Sequence, residues 1–215
     1  MTWTQEQLEI QALAHEFAEG ELRGESAAWD SARDLQEGVF GKLAELGFLG
    51  MLIPEEFGGL DFDLGTYLLV LEELAWGDAS VALSVAIHNG PVSSLLLRYG
   101  SDEQKQRWLP QLALGALMGA FALSEPEAGS DAGSISTKAE RSDSGWSLSG
   151  EKRWVTNGRR AGLVIVFART GEDGISALLV SPDTDGYAVG ARESTMGFRA
   201  SQTVSVTLDG VQLGA

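Results

Sequence analysis

Met118-Gly-Ala-Phe-Ala-Leu-Ser-Glu-Pro-Glu-Ala-Gly-Ser-Asp131 divides this sequence into two kinds of pattern. Before it, apolar residues recur at helical spacing; after it, they alternate. The period changes from 3.6 to 2 near Gly119. The fold class that follows is α+β, an all-α helical domain at residues 1–118 followed by a β-barrel or sandwich domain at 119–215. Within the stretch, Ala120 to Leu123 reads as strand, and Pro126 and Gly129 force a loop directly after it.

Upstream, the helix starts are written in cap chemistry. Thr4-x-x-Gln7 is a capping box, followed by Ile10, Leu13, Ala14, Phe17 and Ala18 on one expected face. A second helix is expected from about Leu35 to Leu46, closed by Gly47, and Gly50 to Gly59 is too rich in glycine and proline to continue it. Asp63 caps a third helix with the expected stripe Leu64, Tyr67, Leu68, Leu71, Leu74 and Ala75. Asp78 caps a fourth from Ala79 to Ile87, apolar nearly all round and so expected to be central. Gly90-Pro91 should interrupt it before Val92 to Tyr99. Ser101-x-x-Gln104 opens a last helix carrying Trp108 and Leu112.

Downstream, Ile135, Thr137 and Ala139 alternate with polar neighbours, and Asp143-Ser-Gly145 reads as a turn. Trp146 to Ser149, Leu163 to Ala168, Ile175 to Val180 and Thr203 to Leu208 read as strands, the last ending at Asp209-Gly210.

Composition removes several function classes. Cysteine is absent and only His15 and His88 are histidines, which argues against thiolate metal sites, cysteine nucleophiles and a Ser-His-Asp triad. No metal site is expected. The net charge of −16 argues against nucleic acid, and it means an anionic ligand has to be held by local donors. The start lacks a basic region followed by an apolar one, and the apolar runs break well short of the roughly 20 residues of a membrane span. A cytoplasmic protein with no membrane partner is the expectation.

Two segments carry chemistry. In Ser124 to Asp131, consecutive loop N–H groups can form an anion nest for a pyrophosphate, and Gly129 lets backbone approach a ligand closely. An ordinary strand-to-loop turn explains the same residues. No G-x-G-x-x-G occurs, so a Rossmann site is not offered. In Lys152-Arg-Trp-Val-Thr-Asn-Gly158, Trp154 and Thr156 stand two apart, which on an extended segment places indole and hydroxyl on one face, suited to a flat ring. A core tryptophan beside an Asn157-Gly158 turn is the reading these residues favour when taken alone.

Taken in order, Leu46 to Gly59, Tyr99 to Lys105, the two segments above and Met196-Gly-Phe-Arg-Ala-Ser-Gln-Thr203 resemble the acyl-CoA dehydrogenase family, closest to its short-chain branch. The resemblance covers essentially the whole sequence. It implies a helical domain, a middle β-barrel and a C-terminal four-helix domain, with FAD between them. By motif, Phe121, Leu123 and Ser124 would border the isoalloxazine. Gly129 and Ser130 would meet the pyrophosphate and the pantetheine of the thioester, Trp154 would cover one flavin face, and Thr156 would bond near N5. Position 121 is often tyrosine in the family, so a phenol hydroxyl is missing there. His88 would lie toward the floor of the acyl cavity and contact substrate; a histidine satisfied at a helix end accounts for it as well.

The implied reaction is FAD-dependent α,β-dehydrogenation of an acyl-CoA substrate, with an electron-transferring flavoprotein as acceptor and a homo-oligomer as the assembly. The family's base sits in its C-terminal domain, so no catalytic residue is expected among residues 1–215. This sequence is expected to be a partial form, complemented by a C-terminal domain. The alternative is a non-catalytic flavin- or acyl-thioester-binding protein, or one subunit of a split enzyme.

Overall fold

The computed structural model describes residues 2–36, 38–142, 145–171 and 174–214. Two compact units emerge, Met1–Leu117 with Thr195–Ser201, and Met118–Ser194 with Gln202–Ala215. The first is helical and the second is a mixed β-sheet, so the α+β class holds.

The helical unit contains α1 (Gln5–Phe17), α2 (Ser26–Ala32), α3 (Val39–Glu45), α4 (Leu64–Gly77), α5 (Ala79–Ile87), α6 (Ser94–Tyr99) and α7 (Asp102–Ala113). Four starts are capped as their sequences require. Thr4 and Ser101 form capping boxes with Gln7 and Gln104, and Asp63 and Asp78 accept from the N–H groups of Thr66 and Val81. The expected second helix is shorter than predicted, beginning at Val39, and α2 was not foreseen. Trp29 is the buried residue of α2.

Helix faces depart further from expectation. In α1 Ala14 is buried, as is Ala18 just after its end, but Leu13 is exposed; in α4, Leu69, Val70 and Leu74 are buried while Leu64 and Leu68 face outward. Leucines almost encircle α4, so periodicity alone cannot choose its inward side. The choice is made by packing on α1, where Gln11 and His15 bond the Glu73 carboxylate at 2.7 Å each.

The expected break at Gly90-Pro91 is a wide π-helical turn, His88–Ser93, that carries α5 into α6. The proline's missing N–H and ring are accommodated by widening the turn, not by ending the helix. Ala79–Tyr99 is therefore one helical run of 21 residues, long and apolar enough by length and composition to cross a membrane. Val81, Val85, Val92 and Leu96 are buried within this unit, as in a core helix.

Residues 50–62 double back on themselves, with Leu60 N–H to Gly50 O at 2.9 Å and Phe62 N–H to Met51 O at 2.7 Å. A Cβ on Gly59 would lie 1.9 Å from the Ile53 carbonyl oxygen. Gly59→Ala is expected to destabilise the helical unit by about 1–3 kcal/mol, the range of overpacking. A urea midpoint matching wild type would contradict it.

The β unit is a single seven-stranded mixed sheet: β1 (Met118–Ala122), β2 (Lys138–Ser142), β3 (Gly145–Val155), β4 (Ala161–Arg169), β5 (Ile175–Val180), β6 (Tyr187–Arg192) and β7 (Val204–Gly214). The order is β1-β4-β2-β3-β7-β6, with β5 off this path and paired antiparallel to β4. β1 runs parallel to β4, and β3 pairs antiparallel with β7 along most of its length. Ala120, Leu148, Val155, Val164, Val166, Val204, Val206 and Val211 belong to its core. Three expectations shift. Ile135 to Thr137 precede β2 and do not extend it, β6 was not foreseen, and β7 runs on through Asp209-Gly210. There, Gly210 at φ +65° sits in a bulge opposite β3, so the dipeptide bends a strand and does not end it. Asp143 and Ser144 of the expected turn lie outside the described residues.

Candidate functional site

The inward positions of β3 begin with Leu148, Gly150 and Lys152, at the spacing of two that a strand requires. Continued, that parity would bury Trp154. Instead the pairing with β7 shifts between Lys152 and Val155, and Val155 turns inward. Trp154 takes φ +55°, a left-handed conformation uncommon outside glycine, and its indole is 54% exposed. The extended geometry expected for Trp154 and Thr156 is thus a bulge followed by a turn. Both the shared face and the core-tryptophan reading give way to an indole held outward by the backbone.

Beside this bulge runs the loop that leaves β1. Arg153 N–H donates to Ser124 O at 2.8 Å, fixing the start of the loop to the bulge itself. Glu125 and Ala128 close a tight turn, with Glu125 N–H to Ala128 O at 2.7 Å. The far end is held by Arg169, whose Nε donates to Ile135 O at 2.8 Å and whose terminal nitrogen donates to Gly133 O. Between these anchors Ser130 and Asp131 are exposed, and the Asp131 carboxylate accepts from the Ser134 hydroxyl. A Cβ on Gly129 would meet only Ser124 Oγ at 3.9 Å, so the loop has room at its crest.

Under the loop lies a buried ion pair that the sequence reading did not single out. Lys152 Nζ is 2.7 Å from Glu125 Oε1, and both side chains are almost completely buried. The same ammonium donates to Leu123 O at 3.0 Å. Glu125 also accepts from Ser136 N–H, Ser136 Oγ and Thr137 N–H. Burial pushes the Glu125 carboxyl up, but hydrogen bonds from Lys152, Thr137 and Ser136 outweigh it and hold the group at about 2. Burial lowers the Lys152 ammonium, and the carboxylate offsets part of that. The available signal was a lysine at an inward strand position, which requires a carboxylate partner.

The remaining candidates divide between the two units. Phe121 is half-buried and its ring lies 5.2 Å from that of Phe167 at a tilt of 57°. Leu123 and Ser124 are half-buried at the loop's start. Thr156 Oγ1 lies 3.3 Å from Thr203 Oγ1, and buried Asn157 donates to Gly119 O at 3.1 Å, tying the turn after β3 back to β1. His88 belongs to the helical unit and is fully buried, with Nε2 3.1 Å from Leu112 O. Burial lowers its imidazole to about 4, against hydrogen bonds with the backbone of Leu112 and Leu49. These contacts lie inside the continuous Ala79–Tyr99 helical run, not at a helix end, and they set the imidazole among the buried residues of the helical unit.

Family models add the decisive observation. Residues 4–116 match the acyl-CoA dehydrogenase N-terminal domain and residues 120–211 match its middle domain. The chain belongs to the acyl-CoA dehydrogenase family. The pig mitochondrial short-chain specific acyl-CoA dehydrogenase is 37% identical over 204 residues, covering 93% of this chain and 49% of that protein. Butyryl-CoA dehydrogenase from Megasphaera elsdenii superposes with a TM-score of 0.93 at 33% identity, over 98% of this chain and 57% of the other. A glutaryl-CoA dehydrogenase from Mycobacterium smegmatis, solved with FADH2, gives 0.93 at 35% identity, over 99% and 55%. The chain spans about half the length of the curated relatives it matches. The two matched segments follow one another along the chain, the helical one first and the β one second.

Proposed function

We propose that this chain provides the flavin-holding part of an FAD-dependent acyl-CoA dehydrogenase acting on short acyl-CoA thioesters. The observation that carries the reading is Trp154, held outward in a left-handed bulge beside an anchored loop. A protein gains nothing in its own core from that conformation, whereas a flat ligand gains an aromatic wall. Ser124, Ser130 and Thr156 supply hydroxyls, Gly129 leaves room for close approach, and Glu125 is neutralised by Lys152, so that carboxylate does not oppose an anionic ligand. These groups fit a flat ring joined to a pyrophosphate. When bound, the flavin would take up the hydride leaving the β-carbon.

The chain's own residues bind and orient. Phe121, Leu123 and Trp154 present apolar surface to the ring, Ser124 and Thr156 donate at its rim, and Gly129 and Ser130 meet the phosphates and the thioester arm. Removing the α-proton needs a carboxylate that is basic enough and free to reach it, and Glu125 is held at about 2 with its oxygens committed to Lys152, Ser136 and Thr137. We assign no base among the described residues. A C-terminal domain supplying one and an electron-transferring flavoprotein as acceptor complete the proposal.

Two titrations test it. The purified 1–215 chain is expected to take up FAD, and Ser130→Ala to weaken that uptake by tenfold or more, the scale of one lost charge-assisted hydrogen bond of about 1.5–3 kcal/mol. Butyryl-CoA added anaerobically is expected to leave the bound flavin unbleached. A folded chain that ignores FAD would overturn the function, and bleaching would overturn the assignment of no base.

A further inference from the structure

We propose that Glu125 and Lys152 are positioning residues for the flavin site, a buried clasp that fixes both ends of the Ser124–Thr137 loop to the strand carrying Trp154. This rests on the flavin reading above and names what sets the site's geometry. Residues 124 and 137 are thirteen positions apart along the chain, yet one carboxylate reaches both neighbourhoods. Through its own backbone Glu125 belongs to the loop's start, and through its side chain it receives Ser136 N–H, Ser136 Oγ at 2.7 Å and Thr137 N–H at 3.0 Å from the loop's end. Lys152 then binds that carboxylate at 2.7 Å and the Leu123 carbonyl at 3.0 Å. The next residue, Arg153, donates its N–H to Ser124 O, and the one after is Trp154. Loop start, loop end and indole bulge therefore share one charged node.

The chemistry of the node explains why the residues are charged. A carboxylate offers about four lone-pair sites and here serves Lys152, Ser136 and Thr137 together. An amide oxygen in its place offers two, so at least two of the four donors would go unmet. An apolar pair would fill the space and hold no loop. Buried ion pairs contribute little net stability compared with packed hydrocarbon, but they fix geometry strongly when every partner is satisfied. A loop whose exposed crest meets a ligand gains affinity from being ordered beforehand.

Glu125→Gln, Lys152→Gln and the double variant test the clasp in the 1–215 chain, with Val211→Ala as a control that destabilises the β core elsewhere. Three quantities are read: urea midpoint, amide exchange of Ser136 and Thr137 in the apoprotein, and the FAD dissociation constant. Each single variant is expected to lower stability, speed exchange at both amides and weaken FAD at least tenfold. The double variant leaves no uncompensated charge, so its stability should recover toward wild type while both amides stay fast and FAD stays at least tenfold weaker. Val211→Ala should lower stability and leave the FAD constant within twofold. The proposal is overturned if the double variant folds and binds FAD within twofold of wild type, or if FAD affinity follows stability across all four proteins. It is equally overturned if the two amides keep their protection. Wild type failing to take up FAD would overturn the function reading instead, and the exchange measurement, made without cofactor, tells the two failures apart.

Discussion

Trp154→Gly is expected to leave the apoprotein within about 1 kcal/mol of wild type and to weaken FAD binding by about five- to a hundredfold. The first half follows from the backbone. A non-glycine residue at φ +55° carries strain of roughly 1–2 kcal/mol, which glycine removes. Against that stand the extra entropy glycine gives the unfolded chain, roughly 0.5–1 kcal/mol, and the loss of packing by the covered part of an indole that is 54% exposed. The opposing amounts are of one size. The second half follows from the proposed function, because stacking a flat ring on an aromatic side chain is worth roughly 1–3 kcal/mol. Paired urea unfolding and FAD titration check both halves. Unfolding of the apoprotein by the substitution would make Trp154 a structural residue, and an unchanged FAD constant would remove it from the site.

The same residue marks where sequence reading stops. Parity along β3 is a sound rule, and it holds for Leu148, Gly150 and Lys152. It fails one step later because a bulge inserts a residue, and nothing in Arg153-Trp-Val-Thr announces one. The dipeptide Asp209-Gly210 announces a turn but makes a bulge, since its partner strand continues past it. Both misreadings have one cause: a bulge is a property of two strands, and its sequence signal lies on one of them at most.

Where the chemistry is local, the sequence spoke clearly. The side chains of Thr4, Asp63, Asp78 and Ser101 each act on an N–H within three residues, so the four helix starts are legible without any tertiary knowledge. Glu125 and Lys152 lie 27 positions apart, and neither alone discloses the other. The loop Ser124 to Asp131 fell between these cases. Its residue types were legible as a candidate, whereas the anchors from Arg153, Lys152 and Arg169 that give it a shape were not. The face of α4 was illegible for a different reason, an excess of leucine that leaves every side apolar enough to bury.

Between about pH 7.5 and 5.5 the wild-type chain is expected to lose roughly 1 kcal/mol of stability that His88→Gln does not lose. In the folded state burial holds the His88 imidazole down at about 4, from an ordinary 6.5. Below 6.5 the unfolded chain takes up the proton and the native state does not, so unfolding is favoured progressively as pH falls. The loss begins at the unfolded value and levels off below the folded one. Over the full window it is on the order of 3 kcal/mol. Glu125 opens a separate window further down. Its carboxyl is depressed to about 2 from 4.5, so its contribution is complete above 4.5 and is lost as pH falls toward 2. The two windows meet near the sequence pI of about 4.4, where a chain without net charge tends to associate. Urea midpoints taken at about pH 7.5, 6.5 and 5.5 keep clear of that point and sample His88 alone of the two. A slope that survives in His88→Gln would place the proton uptake on another group. A slope absent from wild type would mean that His88 takes up its proton at the ordinary pH in the folded chain, at odds with a fully buried imidazole bonded to Leu112 O.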